Sequence, residues 1–341
     1  MTRRTQLRAT AAAAMIAALA LSGCAADAGS GDDSGGASAD GAFPVTLEHA
    51  FGETTIEEEP TNVVTWGWGS TEAAIALGVV PVAIPFQSYG GDDEGVLPWV
   101  SEELDSLGVD TPVVLTDDGE APPYEEIAAA DPDVILAPYS GVTEEQYELL
   151  SEIAPTVAYT GEAWTTPWKE VVTTVGTALG KSDEAETVLT DIDTVLADAA
   201  AAHPELEGKT VAAVWDVSGT FYVYKAADSR VAFLFDLGLV NAPAVDDLSN
   251  GDSSFFYTLS YEQLDKLESD IVVNYADTQE EQDAFLATSY AQAIPAVKAG
   301  AVAQVVGPDL IASVSPPTAL SLTWGLDSYL EQLSTAADAA Q

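Results

Sequence analysis

Basic residues are nearly missing from this sequence: ten Lys and Arg stand against 56 Asp and Glu, for a formal net charge of −46. Nucleic acid is excluded as a partner, because holding a phosphate backbone takes a basic face. Arg3, Arg4 and Arg8 crowd the first eight residues, which leaves Arg230 as the sole arginine beyond them. Cysteine is as scarce. Cys24 stands alone, so neither an internal disulfide nor a cysteine metal cage can form within the chain. His49 and His203 are the only histidines, too few for a dedicated zinc or manganese centre. Neither lies where a Ser-His-Asp triad would need it. No glycine-rich phosphate loop is present, and no pair of carboxylates has the spacing of an acid/base couple. The expectation is a chain that is not an enzyme and carries neither a resident cofactor nor a metal of its own.

What is present begins at the first residues. The three arginines form a basic stretch, Ala9 to Leu21 is apolar and uncharged, and the run is too short for the roughly 20 residues of a membrane-spanning helix. It reads as a cleaved export signal over 1–23. The ending Leu21-Ser22-Gly23-Cys24 resembles the lipobox of bacterial lipoproteins, which implies lipidation of Cys24 and a chain anchored to the cell membrane, facing the exterior or periplasm. Several acyl chains hold such an anchor, at roughly 0.8 kcal/mol for each buried methylene. Thr2 to Arg8 faintly resembles a twin-arginine signal, so the export route stays open. Residues 24–42 are nearly all Ala, Asp, Gly and Ser, which predicts a disordered tether with nothing to bury.

From Phe43 onward strands and helices alternate, the pattern of an α/β fold with mainly parallel sheets flanked by helices. Strands are predicted at 62–66, 79–84, 111–115, 133–138 and 156–159, with helices at 70–77, 124–130 and 143–153. Between 167 and 206 the pattern turns wholly helical. There Ala185, Val188, Leu189, Ile192, Val195, Leu196 and Ala199 make an amphipathic stripe. Alternation then resumes: strands at 210–215, 221–224, 270–275 and 302–306, and helices at 229–237, 261–267, 280–287 and 317–333. The plan is an N-terminal lobe over 43–166, a linker region over 167–206 holding one long interlobe helix, and a C-terminal lobe over 207–335. A short match ties the halves together. Tyr124-Glu125-Glu126-Ile127 with Asp133-Val134-Ile135-Leu136 recurs as Tyr261-Glu262-Gln263-Leu264 with Asp270-Ile271-Val272-Val273, two copies of one helix-Asp-strand unit.

Four stretches in order carry a resemblance: 48–56 with 60–64, Glu72 to Pro81, Ile127 to Leu136, and Ile153 to Val157. Over nearly the whole mature chain the sequence resembles the substrate-binding lipoproteins of iron-siderophore, heme and cobalamin ABC importers. The departure at Asn62, where that family commonly has Arg, removes only a surface charge. The resemblance implies a monomer that captures a small iron chelate and delivers it to permease subunits driven by a cytoplasmic ATPase. Glu125 and Glu262 match the carboxylates that dock on those subunits, where charge complementarity supplies steering and register.

The ligand is then expected in the cleft at the carboxyl ends of the strands. Those ends supply Trp66, Trp68, Phe86, Tyr89, Tyr139 and Trp164 from the first lobe, and Trp215, Tyr222, Arg230, Asn274 and Tyr275 from the second. Trp68, Trp215 and Tyr275 stand foremost. With Arg230 alone to meet an anion, a neutral or cationic ferric hydroxamate held by aromatic walls fits better than a catecholate or citrate complex. Heme and cobalamin remain open within the class. Outside it stands an exported lipoprotein hydrolase, which would need two carboxylates across one cleft.

Overall fold

The computed structural model describes residues 43–340 apart from Asp118 and Asp252, and these belong to one compact unit. The signal segment, Cys24 and the expected tether lie outside the described residues. Among those described, no helix is long and apolar enough to cross a membrane.

An antiparallel hairpin opens the fold, β1 (Val45–His49) with β2 (Gly52–Ile56). The first half continues as β3 (Val63–Thr65), α1 (Ser70–Ala76), β4 (Ala83–Pro85), α2 (Pro98–Leu107), β5 (Val113–Leu115), α3 (Tyr124–Ala129), β6 (Val134–Leu136), α4 (Glu144–Ser151) and β7 (Thr156–Val157). Two helices follow, α5 (Trp168–Ala178) and α6 (Ser182–Ala202). The second half holds β8 (Thr210–Val217), β9 (Thr220–Tyr224), α7 (Ser229–Asp236), β10 (Val240–Asn241), α8 (Pro243–Asp247), β11 (Phe256–Thr258), β12 (Ile271–Ala276), α9 (Gln279–Ala287), α10 (Pro295–Ala299), β13 (Val302–Val306), α11 (Pro308–Ala312) and α12 (Ser321–Ala339).

The first sheet has the order β5-β4-β3-β6-β7 and is parallel throughout. Its short strands are apolar on both faces, as helices on both sides require. The second sheet runs β11-β9-β8-β12-β13 with β10 beside β8. Here β10, β12 and β13 are parallel to their partners, whereas β9 and β11 add antiparallel pairs. Mainly parallel α/β architecture is therefore present in both halves.

The internal match has a physical basis. Asp133, just before β6, accepts hydrogen bonds from Thr61 N (2.7 Å), Thr61 Oγ1 (2.9 Å) and Asn62 N (3.0 Å) at the entrance of β3. Asp270, just before β12, accepts from Thr210 N and Thr210 Oγ1, both 2.8 Å, at the start of β8. Each aspartate ties its own strand to the neighbouring central strand. The bond from Thr210 N–H, more than any other cause, holds the Asp270 carboxyl below the usual carboxylate range.

Several expectations need correction. The helical stretch at 167–206 is two helices, interrupted at Leu179 to Lys181. Gly180 there has φ +67° and lies against the Phe43 ring, a conformation that favours glycine. Residues Tyr261–Lys266 form a 3-10 helix rather than an α-helix. The strand expected at 79–84 shrinks to β4, because Gly78 in the left-handed region and the backbone bond from Val79 N to Ala74 O still belong to the end of α1. Helix α1 is capped by Gly69, which makes no side-chain bond. Helix α6 packs on α5 and also touches α7, α12 and the 3-10 turn Pro204–Leu206. One apolar cluster runs from Leu47 and Val63 through Val175, Ile192 and Leu196 to Val273 and Tyr329.

Candidate functional site

The site is built where β3 and β6 end in the first half and, in the second, where β8 and β12 end beside the antiparallel β9. Gly67 follows β3 with φ +85°, and a Cβ there would stand 2.3 Å from Tyr139 O. Only glycine lets this loop approach the one after β6, which Trp68 N then joins by a 3.0 Å bond to Tyr139 O. Trp164 is held alongside. It has φ +61°, its N–H donates to Ser140 O, and its ring edge meets Tyr139 at a 5.6 Å centroid distance. Gly141 leaves room for that indole, since a Cβ would come within 2.5 Å of Nε1. A left-handed, 49 % exposed tryptophan is a strained arrangement of the kind found at binding sites.

In the second half a two-residue turn sets the register. Ser218 and Gly219 both have positive φ, 53° and 77°, the geometry of a type I′ hairpin. It places Trp215 opposite Tyr222. Tyr224, two residues on, shares that face. Tyr222 meets Phe256 at 5.5 Å, Trp215 meets Tyr275 at 6.2 Å, and Tyr224 meets Tyr275 at 5.9 Å.

Arg230 lies at the heart of this face. Its Nε and Nη2 donate to the two carboxylate oxygens of Asp228 at 2.8 and 2.7 Å, a bidentate pair. Asp228 also caps α7 by accepting from Arg230 N at 3.0 Å. The guanidinium stacks on Tyr224, Cζ lying 3.7 Å from the ring centre, with the Tyr275 ring at 5.6 Å. Arg230 is 8 % exposed and Asp228 4 %. Burial alone would lower the guanidinium's proton affinity, but the Asp228 bonds and charge reverse that and raise it. From the first half, the Tyr89 hydroxyl donates to Asp277 Oδ1 at 2.9 Å, just past β12. Burial first, then the Asp277 bond and charge, push that phenol far up. Burial likewise raises Tyr139, where Asp228 adds to the rise and Arg230 opposes it.

The fold thus gathers Tyr89, Tyr139, Trp215, Tyr222, Arg230 and Tyr275 into one apolar cluster or its electrostatic neighbourhood. Trp164 sits at its rim through Tyr139. Trp68 lines a cavity of about 10 Å³ with Tyr139, Trp168 and residues 316–319. Trp66 falls elsewhere, buried in the other core of the first half with Val64, Leu115 and Ile127. Tyr275 is only 1 % exposed and supports Arg230 from beneath. Asn274 points to the opposite face of β12, where its Nδ2 donates to Gln282 Oε1 at 2.5 Å. Asp228, Tyr224 and Asp277 were not anticipated. Their signals were available: an N-cap before α7, a second tyrosine at period two, and a residue past a strand end.

A larger cavity of about 600 Å³ lies at the opposite end of the second sheet, among Thr210, Pro243, Asp247, Lys266 and Asp270. It touches none of the aromatic face. His203 meets Ser334 Oγ and Glu205 Oε1 through the same ring atom, Nδ1, each at 2.9 Å. A nucleophilic triad uses one ring nitrogen for each partner, so this is a strap between α6 and α12. Glu125 and Glu262 are both exposed, on α3 and on the 3-10 helix Tyr261–Lys266.

Comparison with known proteins agrees with this geometry. The model of the periplasmic binding protein family matches residues 63–305. The chain is 28 % identical over 277 residues to the probable siderophore-binding lipoprotein YfiY of Bacillus subtilis, covering 79 % of this chain and 80 % of that one. Among solved structures, PiaA of Streptococcus pneumoniae in complex with ferrichrome superposes with a TM-score of 0.76 at 34 % identity, over 87 % of this chain and 99 % of that one. SirA of Staphylococcus aureus complexed with staphyloferrin B gives a TM-score of 0.62 at 25 % identity, over 85 % and 96 %.

Proposed function

Because the chain belongs to the periplasmic binding protein family, we propose that it is the lipid-anchored receptor of an ABC importer that takes up a ferric siderophore, with hydroxamates as the favoured chemistry. In this reading Cys24 carries the anchor, residues 43–166 and 207–335 act as lobes joined by α6, and the ligand enters between Trp164 and Tyr139 on one side and Trp215 and Tyr222 on the other. Glu125 and Glu262 meet the permease subunits, and the receptor works as a monomer.

The observation that carries the ligand class is the state of Arg230. It is the sole arginine beyond Arg8, and its charge is already matched by Asp228. Asp277 then adds a carboxylate to the same surroundings. An anionic chelate would meet no unmatched guanidinium and one unmatched negative charge, which repels at short range where screening by salt is weak. A neutral ferric trihydroxamate such as ferrichrome costs no such repulsion. It presents an apolar periphery to the aromatic walls and carbonyl oxygens to the remaining N–H groups of Arg230.

Tryptophan-fluorescence titration with ferrichrome, a ferric catecholate, ferric citrate, heme and cobalamin tests this. Saturable quenching by ferrichrome with weaker response to the two anionic iron complexes is the expected result. Preference for the catecholate or citrate would overturn the hydroxamate reading, and preference for heme or cobalamin would move the chain to another branch of the family.

A further inference from the structure

Trp215 and Asp216 are consecutive on β8 and so face opposite sides of the sheet. Trp215 joins the aromatic face, whereas Asp216 turns toward the loops that carry Glu262. Its two carboxylate oxygens are held separately: the Tyr261 hydroxyl donates to Oδ1 at 2.7 Å and the Tyr290 hydroxyl to Oδ2 at 2.9 Å. The two phenol rings pack together, 4.3 Å between centroids. Tyr261 immediately precedes the exposed Glu262. Leu264 and Leu267 fasten the same 3-10 helix into the core below, but the end bearing Glu262 has no side-chain cap. Asp216 reaches that end through the Tyr261 hydroxyl.

The first half repeats the arrangement with other chemistry. Glu126, next to the exposed Glu125, accepts from Thr116 N at 2.9 Å and from Thr116 Oγ1 at 2.8 Å, and Thr116 is the residue just past β5. Helix α3 likewise starts without a side-chain cap. In each half, then, the neighbour of an exposed glutamate is tied by two charge-assisted hydrogen bonds, directly or through a paired tyrosine, to the carboxyl end of a strand.

We propose that Asp216, through Tyr261 and Tyr290, is a positioning residue that fixes Glu262 to the ligand-bearing end of β8, with Thr116 and Glu126 doing the same for Glu125. The carboxyl ends of β5 and β8 thereby set where the two docking carboxylates stand. This rests on the docking role of Glu125 and Glu262 stated above. The clamp is suited to the task because carboxylate-phenol bonds are short and directional, and because replacing the phenols by phenylalanine leaves the apolar packing in place.

The test is radiolabelled-ferrichrome uptake by source cells whose only copy carries Tyr261→Phe with Tyr290→Phe, beside purified full-length protein for ligand affinity and melting. The expected result is an uptake rate lowered about tenfold, near the low end of the worth of one charge-assisted bond, with ferrichrome affinity and the melting profile within twofold and a few degrees of the parent. Thr116→Val, which keeps the backbone donor, should show a smaller loss. Restoring either tyrosine alone should recover part of the rate. Unchanged uptake in the double variant, or uptake that falls only in step with ligand affinity, overturns the proposal. Glu262→Arg in the same cells separates the two layers. If it leaves uptake intact, the docking reading itself fails; if it abolishes uptake while the double phenylalanine variant does not, docking stands and the clamp is wrong.

Discussion

Asp228→Asn isolates the charge at the centre of the site. Asparagine keeps an oxygen that can accept from Arg230 N, so the cap on α7 survives, and its volume is that of aspartate. What changes is electrostatic. The Arg230 guanidinium, 8 % exposed, loses its counter-charge, and the new amide N–H faces Nη2–H where Oδ2 had accepted at 2.7 Å. Removing one partner of a buried pair costs about 3–5 kcal/mol, because the remaining charge is left desolvated. Stacking on Tyr224 at 3.7 Å recovers some of this, as a desolvated cation-π contact contributes about 2 kcal/mol, but that contact exists in the parent too and does not enter the difference.

Equilibrium urea unfolding should therefore show a loss of about 3–5 kcal/mol for Asp228→Asn. Arg230→Met should lose a comparable amount for the opposite reason, a buried carboxylate without its guanidinium. The double variant should recover most of it, since neither charge is then buried, and the cycle should return a coupling energy of opposite sign to the single losses. A cost below about 1 kcal/mol for Asp228→Asn, the value of an exposed pair, would refute the reasoning: the guanidinium would be reaching water in the gap.

Two further outcomes follow from one buried and one half-buried group. Glu72 is buried between α1, Trp99 of α2 and Thr318, and burial raises its carboxyl despite the 3.1 Å bond from Trp99 Nε1. A raised acid stabilises fully below its unfolded value near 4.5 and loses that contribution as pH rises through the folded value, so Glu72→Gln should stabilise at pH 7 and lose its advantage below about pH 4.5 in parallel melts. A Glu72→Gln variant less stable than the parent at pH 7 would show that the ionised form is the one the site prefers. His49 accepts Phe51 N–H at Nδ1 and meets Thr54 Oγ1 at 2.9 Å through Nε2, and burial lowers its proton affinity. Its contribution is present above about pH 6.5 and is lost as pH falls; ring-proton NMR should report a midpoint below 6.5, and one above it would contradict the neutral assignment.

Element order was readable because long amphipathic runs and short apolar strands each carry their own period. The stripe from Ala185 to Ala199 became α6, and Asp133 and Asp270 marked the same junction in both halves. Other parts gave no such signal. In β1 and β2 a charged or polar residue occupies nearly every exposed position, and Leu47, Thr54 and Ile56 face inward without a run of apolar neighbours. Helix α2 begins at Pro98-Trp99-Val100 with no polar cap, so its start resembles a loop. The six residues from Tyr261 wind as a 3-10 helix although the matching Tyr124–Ala129 is α, a difference that the shared Tyr-Glu pattern does not signal.

Within the site, the strand-end rule located the neighbourhood but not the facing of each side chain. Residues of β12 alternate, so Tyr275 joins Arg230 while Asn274, one position earlier, is carried to Gln282 on α9. Charge was harder still. Counted along the chain, Arg230 is an isolated cation in an acidic protein and reads as a free donor facing the cleft. The partner that cancels it lies two residues away, and that spacing carries no ion-pair signature in an extended chain. It becomes one only when Asp228 caps α7 and the first turn of the helix folds the guanidinium back over the capping carboxylate. Asp277, which accepts from the Tyr89 hydroxyl, adds a further carboxylate to these surroundings. The proposed preference for an uncharged chelate, first suggested by the scarcity of arginine, thus acquires a structural ground in the way one helix begins.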